Sequence, residues 1–303
     1  MEPALGPAKP DPWEEYCCLP LYVFCGRHLL LARQRRANVA GSEGAVEEVA
    51  RIIAQIRQTW PRVRITLRAD SGFCNDKMMH ATLASRSLNA GVATQRCEAN
   101  RVDYVFGLAR NSRLEAALRE QLAQAKRLCE SSGKPARVFR DFRYCTIDSW
   151  SQTRRVVGKA EHTLDGSNPR FVVTSLKCTR VAYDARALYE DLYCARGEAE
   201  NRIGEQFEMF ADRASSATMM ANQLRLSFSA MAYVLVDTLR RVALRHSQFA
   251  DASVQTIRLK LLKLGAQVRT SVRRIHFAIA SGCPNKAEFA LAHIYLRRAF
   301  SSA

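Results

Sequence analysis

A change of hydrophobic period between residues 44 and 69 limits what this chain can become. In "GAVEEVARIIAQIRQTW" (44–60), Val46, Val49, Ile52, Ile53 and Ile56 recur at helical spacing, and Pro61 ends the run. After it, Ile65 and Leu67 alternate with Arg64, Thr66 and Arg68, the period-2 pattern of a strand with one face buried. Neighbouring segments extend the alternation of strand and helix. "CLPLYVFCG" (18–26) and "RHLLLARQR" (27–35) read as hairpin strands meeting at Gly26, and "VDYVFGLA" (102–109) as another strand. "SRLEAALREQLAQAKRLCESSG" (112–133) reads as one amphipathic helix ended by Gly133, followed by three β-like runs, "ARVFRDFRYCTI", "RRVVGKAEH" and "RFVVTSL". Residues 184–209 and 217–246 are expected to be helical. A basic helix (253–264), one strand "VRTSVRRIHFAIAS" and a terminal helix close the chain. The order is that of a mixed α/β fold.

With 303 residues there is ample material for a core, and 48% hydrophobic with 25% charged residues are globular values. No apolar run approaches the length of a membrane span, and the opening "MEPALGPAKPDPWEE" lacks the regions of a secretory signal. The ten cysteines are scattered without a CxxC pair, which predicts reduced thiols in a cytoplasmic protein.

The net charge of +17 is unevenly spread. Residues 221–303 hold thirteen Lys/Arg against three Asp/Glu, and residues 101–160 hold thirteen against six. Residues 181–220 reverse the sign, with four basic against eight acidic. A cationic body points to a polyanion, nucleic acid above all. The acidic island is either a solvated helix or a place where carboxylates gather for a metal.

Two stretches carry candidate chemistry. In "RITLRADSGF" (64–73) the strand ends at Asp70, which reads either as the cap of an Asx-turn or as a site residue at a strand C-terminus. In "ALYEDLYCARGEAENRIGEQFEMF", Tyr193, Arg196 and Glu200 fall at i, i+3 and i+7, one face of an α-helix, with Leu188 and Leu192 close to the same stripe. That spacing suits an Arg196–Glu200 ion pair over a packed Tyr193, and equally a metal-ligand carboxylate beside phosphate-handling groups. Neither GxGxxG nor GxxxxGK[ST] occurs, and the six histidines form no recognisable triad.

The Tyr-x2-Arg-x3-Glu spacing after a strand ending in Asp resembles the DDE-superfamily insertion-sequence transposases. The strings "LPLYVFCGRHLL", "RADSGF", "VDYVFGLARN", "LYEDLYCARGE", "ADR", "NQLRL" and "IRLKLLK" are similar in order to one group of DDE-domain transposases, from residue 17 almost to the end. The resemblance implies a ribonuclease-H-like mixed sheet over residues 17–246. A β-rich insertion at about 134–178 would precede the Glu-bearing helix, with a disordered tail at 1–16 and a basic C-terminal α/β segment at 247–303. It implies Asp70 and Glu200 as metal ligands for two Mg2+ or Mn2+ ions, with Arg196 and Tyr193 orienting the Glu and contacting phosphate. The implied partner is double-stranded DNA, both element ends and target, worked on in a bacterial cytoplasm at the nucleoid. A homo-oligomer, or a pair with an intact transposase copy, would assemble on it.

Three departures go with the resemblance. The Asp-bearing strand expected ahead of the hairpin is replaced by "MEPALGPAKPDPWEEY", whose prolines cannot build a central strand and whose Asp11 is a poor substitute. The Lys expected after the Glu is absent, Gly204 and Phe207 standing at its positions, and residues 74–95 differ from the short helix expected there. The chain therefore reads as an N-terminally truncated copy with weak or no catalysis, or as an inactive DNA-binding remnant.

Overall fold

The computed structural model describes residues 18–84, 102–212 and 215–301, so the segments 1–16 and 85–95 lie outside the described residues. Along the chain run β1 (Leu21–Cys25), β2 (His28–Arg33), α1 (Ala45–Thr59), β3 (Ile65–Ala69), α2 (Asp76–Ala84) and β4 (Val102–Leu108). Then come α3 (Ser112–Ala117), α4 (Arg119–Ser132), β5 (Ala136–Tyr144), β6 (Arg154–Thr163), β7 (Gly166–Ser167) and β8 (Arg170–Thr174). A helical run follows: α5 (Ala185–Ala187), a π turn (Leu188–Tyr193), a 3-10 turn (Cys194–Arg196) and α6 (Gly197–Glu208). The last elements are α7 (Met219–Ala243), α8 (Val254–Ile257), a π turn (Arg258–Leu262), β9 (Ala266–Thr270), β10 (Ile275–Ile279) and α9 (Lys286–Ser301). They form two compact units, Val39–Gly197 and Met1–Asn38 with Glu198–Ala303.

The Val39–Gly197 unit is a mixed sheet in the order β3-β4-β8-β6-β5, with β7 paired to β6. β3 runs parallel to β4 from Ile65↔Val102 to Ala69↔Phe106, and the other ladders are antiparallel. Val105, Val157 and Val172, from three adjacent strands, pack on one face with Leu176, Leu188 and Tyr189. Each such burial stabilises by roughly 1.5–3 kcal/mol. The β-rich run at 134–178 lies in the same sheet as the strand that leads to Asp70, because β8 pairs with β4 from Val105↔Thr174 to Leu108↔Phe171.

The helix expected over 112–133 is two helices. Leu118 leaves helical geometry (φ −103, ψ 5) and is fully buried against Gly158 of β6, where a Cβ would come within 2.8 Å of its Cδ1. Gly133 ends α4 as read from the sequence, in the left-handed conformation at φ 64.

In the second unit the β1–β2 hairpin turns at Gly26 (φ 58) and packs through Phe24 and Leu29 on a core of Tyr233, Val236, Leu244, Phe249, Ile257 and Leu261. The Tyr233 hydroxyl donates to the Arg27 carbonyl at 2.7 Å. The buried Arg240 guanidinium donates to Glu205 at 2.9 Å, Asp237 at 2.8 Å and the Ala252 carbonyl at 2.9 Å. The opposite face of α7 exposes Met220, Leu224, Phe228, Met231 and Leu235. The single strand expected at "VRTSVRRIHFAIAS" is two strands, β9 and β10, because the Ser271 N–H closes a turn on the Arg274 carbonyl at 2.8 Å. Among the described residues no helix is long and apolar enough to cross a membrane.

Candidate active site at the end of the parallel strands

Among the described residues β3 pairs only with β4, and its last residue, Ala69, delivers Asp70 to the C-terminal end of that parallel pair. This is the end of an α/β sheet where loops converge and ligands bind. Asp70 is exposed, and its Oδ1 accepts from the Gly72 N–H at 3.0 Å, capping the 3-10 turn Ser71–Phe73. The turn-capping reading is therefore what the geometry shows. It does not exclude the other, because a carboxylate that gives one oxygen to a turn keeps Oδ2 as a hard donor atom.

Tyr193 ends the π turn, and its hydroxyl lies over the end of β4. A Cβ on Gly107 would come within 2.5 Å of that hydroxyl, 3.0 Å of the Ser71 nitrogen and 3.3 Å of the Asp70 carbonyl carbon. Glycine at 107 is thus what lets the phenol, the acidic turn and β4 share one place. Sequence reading passed over Gly107, although a glycine inside an otherwise apolar strand marks close approach. Burial pushes the Tyr193 phenol pKa up and the nearby Asp70 carboxylate adds to the rise, while Arg196 works against it. The Arg196 guanidinium lies 5.7 Å from the centre of the Tyr193 ring, a cation–π placement.

The expected single α-helix through Tyr193, Arg196 and Glu200 is a π turn, a 3-10 turn and then α6. π turns are rare and frequent at functional sites. Here the wide turn seats both Leu188 and Tyr189 in the core, with Leu192 and Tyr193 packed beside them. Tyr189 contacts Tyr193 with ring centres 5.5 Å apart, and Lys159 lies 5.4 Å from the Tyr189 ring centre. Arg68 of β3 donates to the Leu192 carbonyl at 3.0 Å, tying the strand that leads to Asp70 to the turn that carries Tyr193. Arg68 is a second residue the sequence did not single out.

The structure brings together Asp70, Tyr193 and Arg196 within the Val39–Gly197 unit. Glu200 is exposed in the first turn of α6, which belongs to the other unit. Among the described residues no three His, Cys, Asp or Glu side chains are grouped closely enough to hold a metal. The oxygen donors of Asp70 and Glu200 suit a hard divalent cation by type. The described cysteines are free thiols, and burial pushes the Cys74 thiol up to about 12, far from a reactive thiolate.

A mixed α/β domain with an acidic turn at its parallel strand ends is the class that these observations define. Comparison with protein families goes one step further: the profile of the family "Transposase DDE domain group 1" matches residues 12–301, so the chain belongs to that family. No curated protein matches the chain.

Proposed function

We propose that the chain acts in the DNA transposition of a bacterial insertion sequence, binding double-stranded DNA and cleaving and transferring strands at the Asp70 end of the sheet. The observation that carries this reading is the packing of Tyr193 over Gly107 beside Asp70, within a chain whose family is that of DDE transposases. Asp70 would be a carboxylate ligand for Mg2+ or Mn2+, the role the family resemblance also gives Glu200, and the metal when bound activates the attacking oxygen and stabilises the leaving one. Arg196 supplies fixed positive charge for a phosphate and is oriented by its contact with the Tyr193 ring. Tyr193 stays a neutral phenol, since burial and Asp70 disfavour its ionised form. It can therefore donate a hydrogen bond to a phosphate oxygen without adding charge.

The partner would be DNA at both element ends and target. The acid-free stretch between Asp251 and Glu288 and the exposed Arg and Lys side chains of the C-terminal segment support this. The exposed apolar stripe of α7 supports pairing with a second copy of the chain or with an intact transposase. The setting would be a bacterial cytoplasm, at the nucleoid. The test is incubation of the full chain with Mg2+ or Mn2+ and a supercoiled plasmid carrying its coding region with the natural flanking DNA. Nicking that is lost in Asp70→Ala supports cleavage. Duplex binding without nicking supports the second reading, a DNA-binding chain without catalysis.

A further inference from the structure

The charge at the C-terminal end has a shape as well as a sign. Between Asp251 and Glu288 there is no acidic residue, and β9 and β10 form a two-stranded ribbon in the middle of this stretch. The ribbon is exposed on both faces: Val268 and Phe277 on one side are 55% and 65% accessible, and Arg269 and His276 on the other are exposed as well. The register sorts the side chains, since cross-strand partners share a face and neighbours alternate. Arg269↔His276 and Gln267↔Ala278 make a polar face, while Val268↔Phe277 and Thr270↔Ile275 make the other. Arg273 and Arg274 lie at the turn, which the Ser271 N–H and Oγ–H close on the Arg274 carbonyl at 2.8 Å and 3.2 Å. Among the described residues Arg269, Arg273 and Arg274 join no ion pair.

We propose that the β9–β10 ribbon enters the major groove of duplex DNA. Gln267, Arg269 and His276 would face base edges, with Arg273 and Arg274 on the flanking phosphates. The inference rests on the reading of DNA as the partner and adds which element reads it. A two-stranded ribbon fits a major groove about 12 Å wide as it stands, whereas a minor groove about 6 Å wide has to be bent or widened to take one. The polar face carries the side chains that read base edges there: arginine pairs with guanine O6 and N7, and glutamine with adenine N6 and N7. The turn arginines, with no carboxylate to neutralise them, carry the sequence-independent part of binding.

The experiment uses the full chain, fluorescently labelled duplexes and a salt series, with circular dichroism confirming that each variant is folded. Arg273→Ala with Arg274→Ala should weaken binding to every duplex and reduce the slope of log affinity against log salt by about 1.8, two phosphates at about 0.9 each. Arg269→Ala removes the guanine-reading fork and leaves the turn arginines in place. Its preference for one G·C pair, measured by selection from a random duplex pool, should fall by about 5- to 150-fold. The major-groove ligand methyl green should displace the chain, and the minor-groove ligand distamycin should not. An unchanged slope in the double variant, a full preference in Arg269→Ala, a native chain with no preference, or displacement by distamycin alone would each overturn the ribbon assignment. If the native chain binds no duplex at all, the functional reading itself falls. If native and variants bind alike, only the ribbon assignment does.

Discussion

The Tyr193 hydroxyl occupies the place where a side chain on residue 107 would begin: a Cβ on Gly107 would come within 2.5 Å of it. The acidic turn is fitted to the same spot, with the Ser71 nitrogen 3.0 Å from that Cβ position. The site and the fold therefore constrain each other at a single backbone position.

The first prediction follows from this contact. Gly107→Ala should destabilise the chain by about 1–3 kcal/mol, the usual cost of overpacking. Tyr193→Phe in the same chain should recover part of that loss, because the hydroxyl is the nearest obstacle while the Ser71 backbone remains. Chemical denaturation of the two single variants and the double variant measures the coupling. Strictly additive effects would show that the hydroxyl does not pack against position 107.

Arg240 carries the second prediction. It is 2% accessible and divides its donors between Glu205, Asp237 and the Ala252 carbonyl. Removing one member of a buried ion network leaves the others uncompensated, so Arg240→Ala should cost about 3–5 kcal/mol. A loss under about 1 kcal/mol in denaturant midpoints would mean that water reaches the carboxylates.

The third concerns acid. Burial pushes the Asp76 carboxyl up, but the N–H and hydroxyl of Ser151, each at 3.1 Å, and Arg154 at 2.7 Å outweigh it and hold the pKa below the ordinary carboxylate value. A depressed folded pKa contributes stability that is fully present above the unfolded value, about 3.9, and is lost as pH falls through the folded one. Asp76→Asn should therefore be less stable than the native chain at neutral pH, with the gap closing below about pH 4. A gap that is the same at neutral pH and at about pH 3 would rule out this carboxylate as a source of acid sensitivity.

A fourth prediction tests the apolar stripe on α7. Leu224→Gln with Leu235→Gln should lower the mass of the particle in sedimentation at micromolar concentration, if Met220, Leu224, Phe228, Met231 and Leu235 meet a second copy. Equal masses for native chain and variant would remove the stripe from the interface.

Much of this was legible in the residues, for identifiable reasons. Strand β3 and its acidic end follow from the alternation around Ile65 and Leu67, and Gly26 and Gly133 mark their turns as a left-handed glycine should. The π turn at Leu188–Tyr193 was hidden, because an α-helix and one wide turn present the same apolar residues in sequence and differ only in backbone pairing. The break at Leu118 was hidden too, since the reason for it, the space above Gly158, lies forty positions away. The joining of β8 to β4 is likewise long-range. A run such as "RFVVTSL" shows that it is buried, and not which neighbour it pairs with.

The most direct measurement is the rate at which the full chain nicks supercoiled plasmid bearing its own flanking DNA in Mn2+, for the native chain and for Asp70→Ala of equal folded content. If the end of β3 is where strand cleavage occurs, the variant's rate falls at least about a hundredfold, the scale for losing one charge-stabilising group at a reacting phosphate. A variant that nicks at the native rate would contradict the assignment of Asp70, and with it the site.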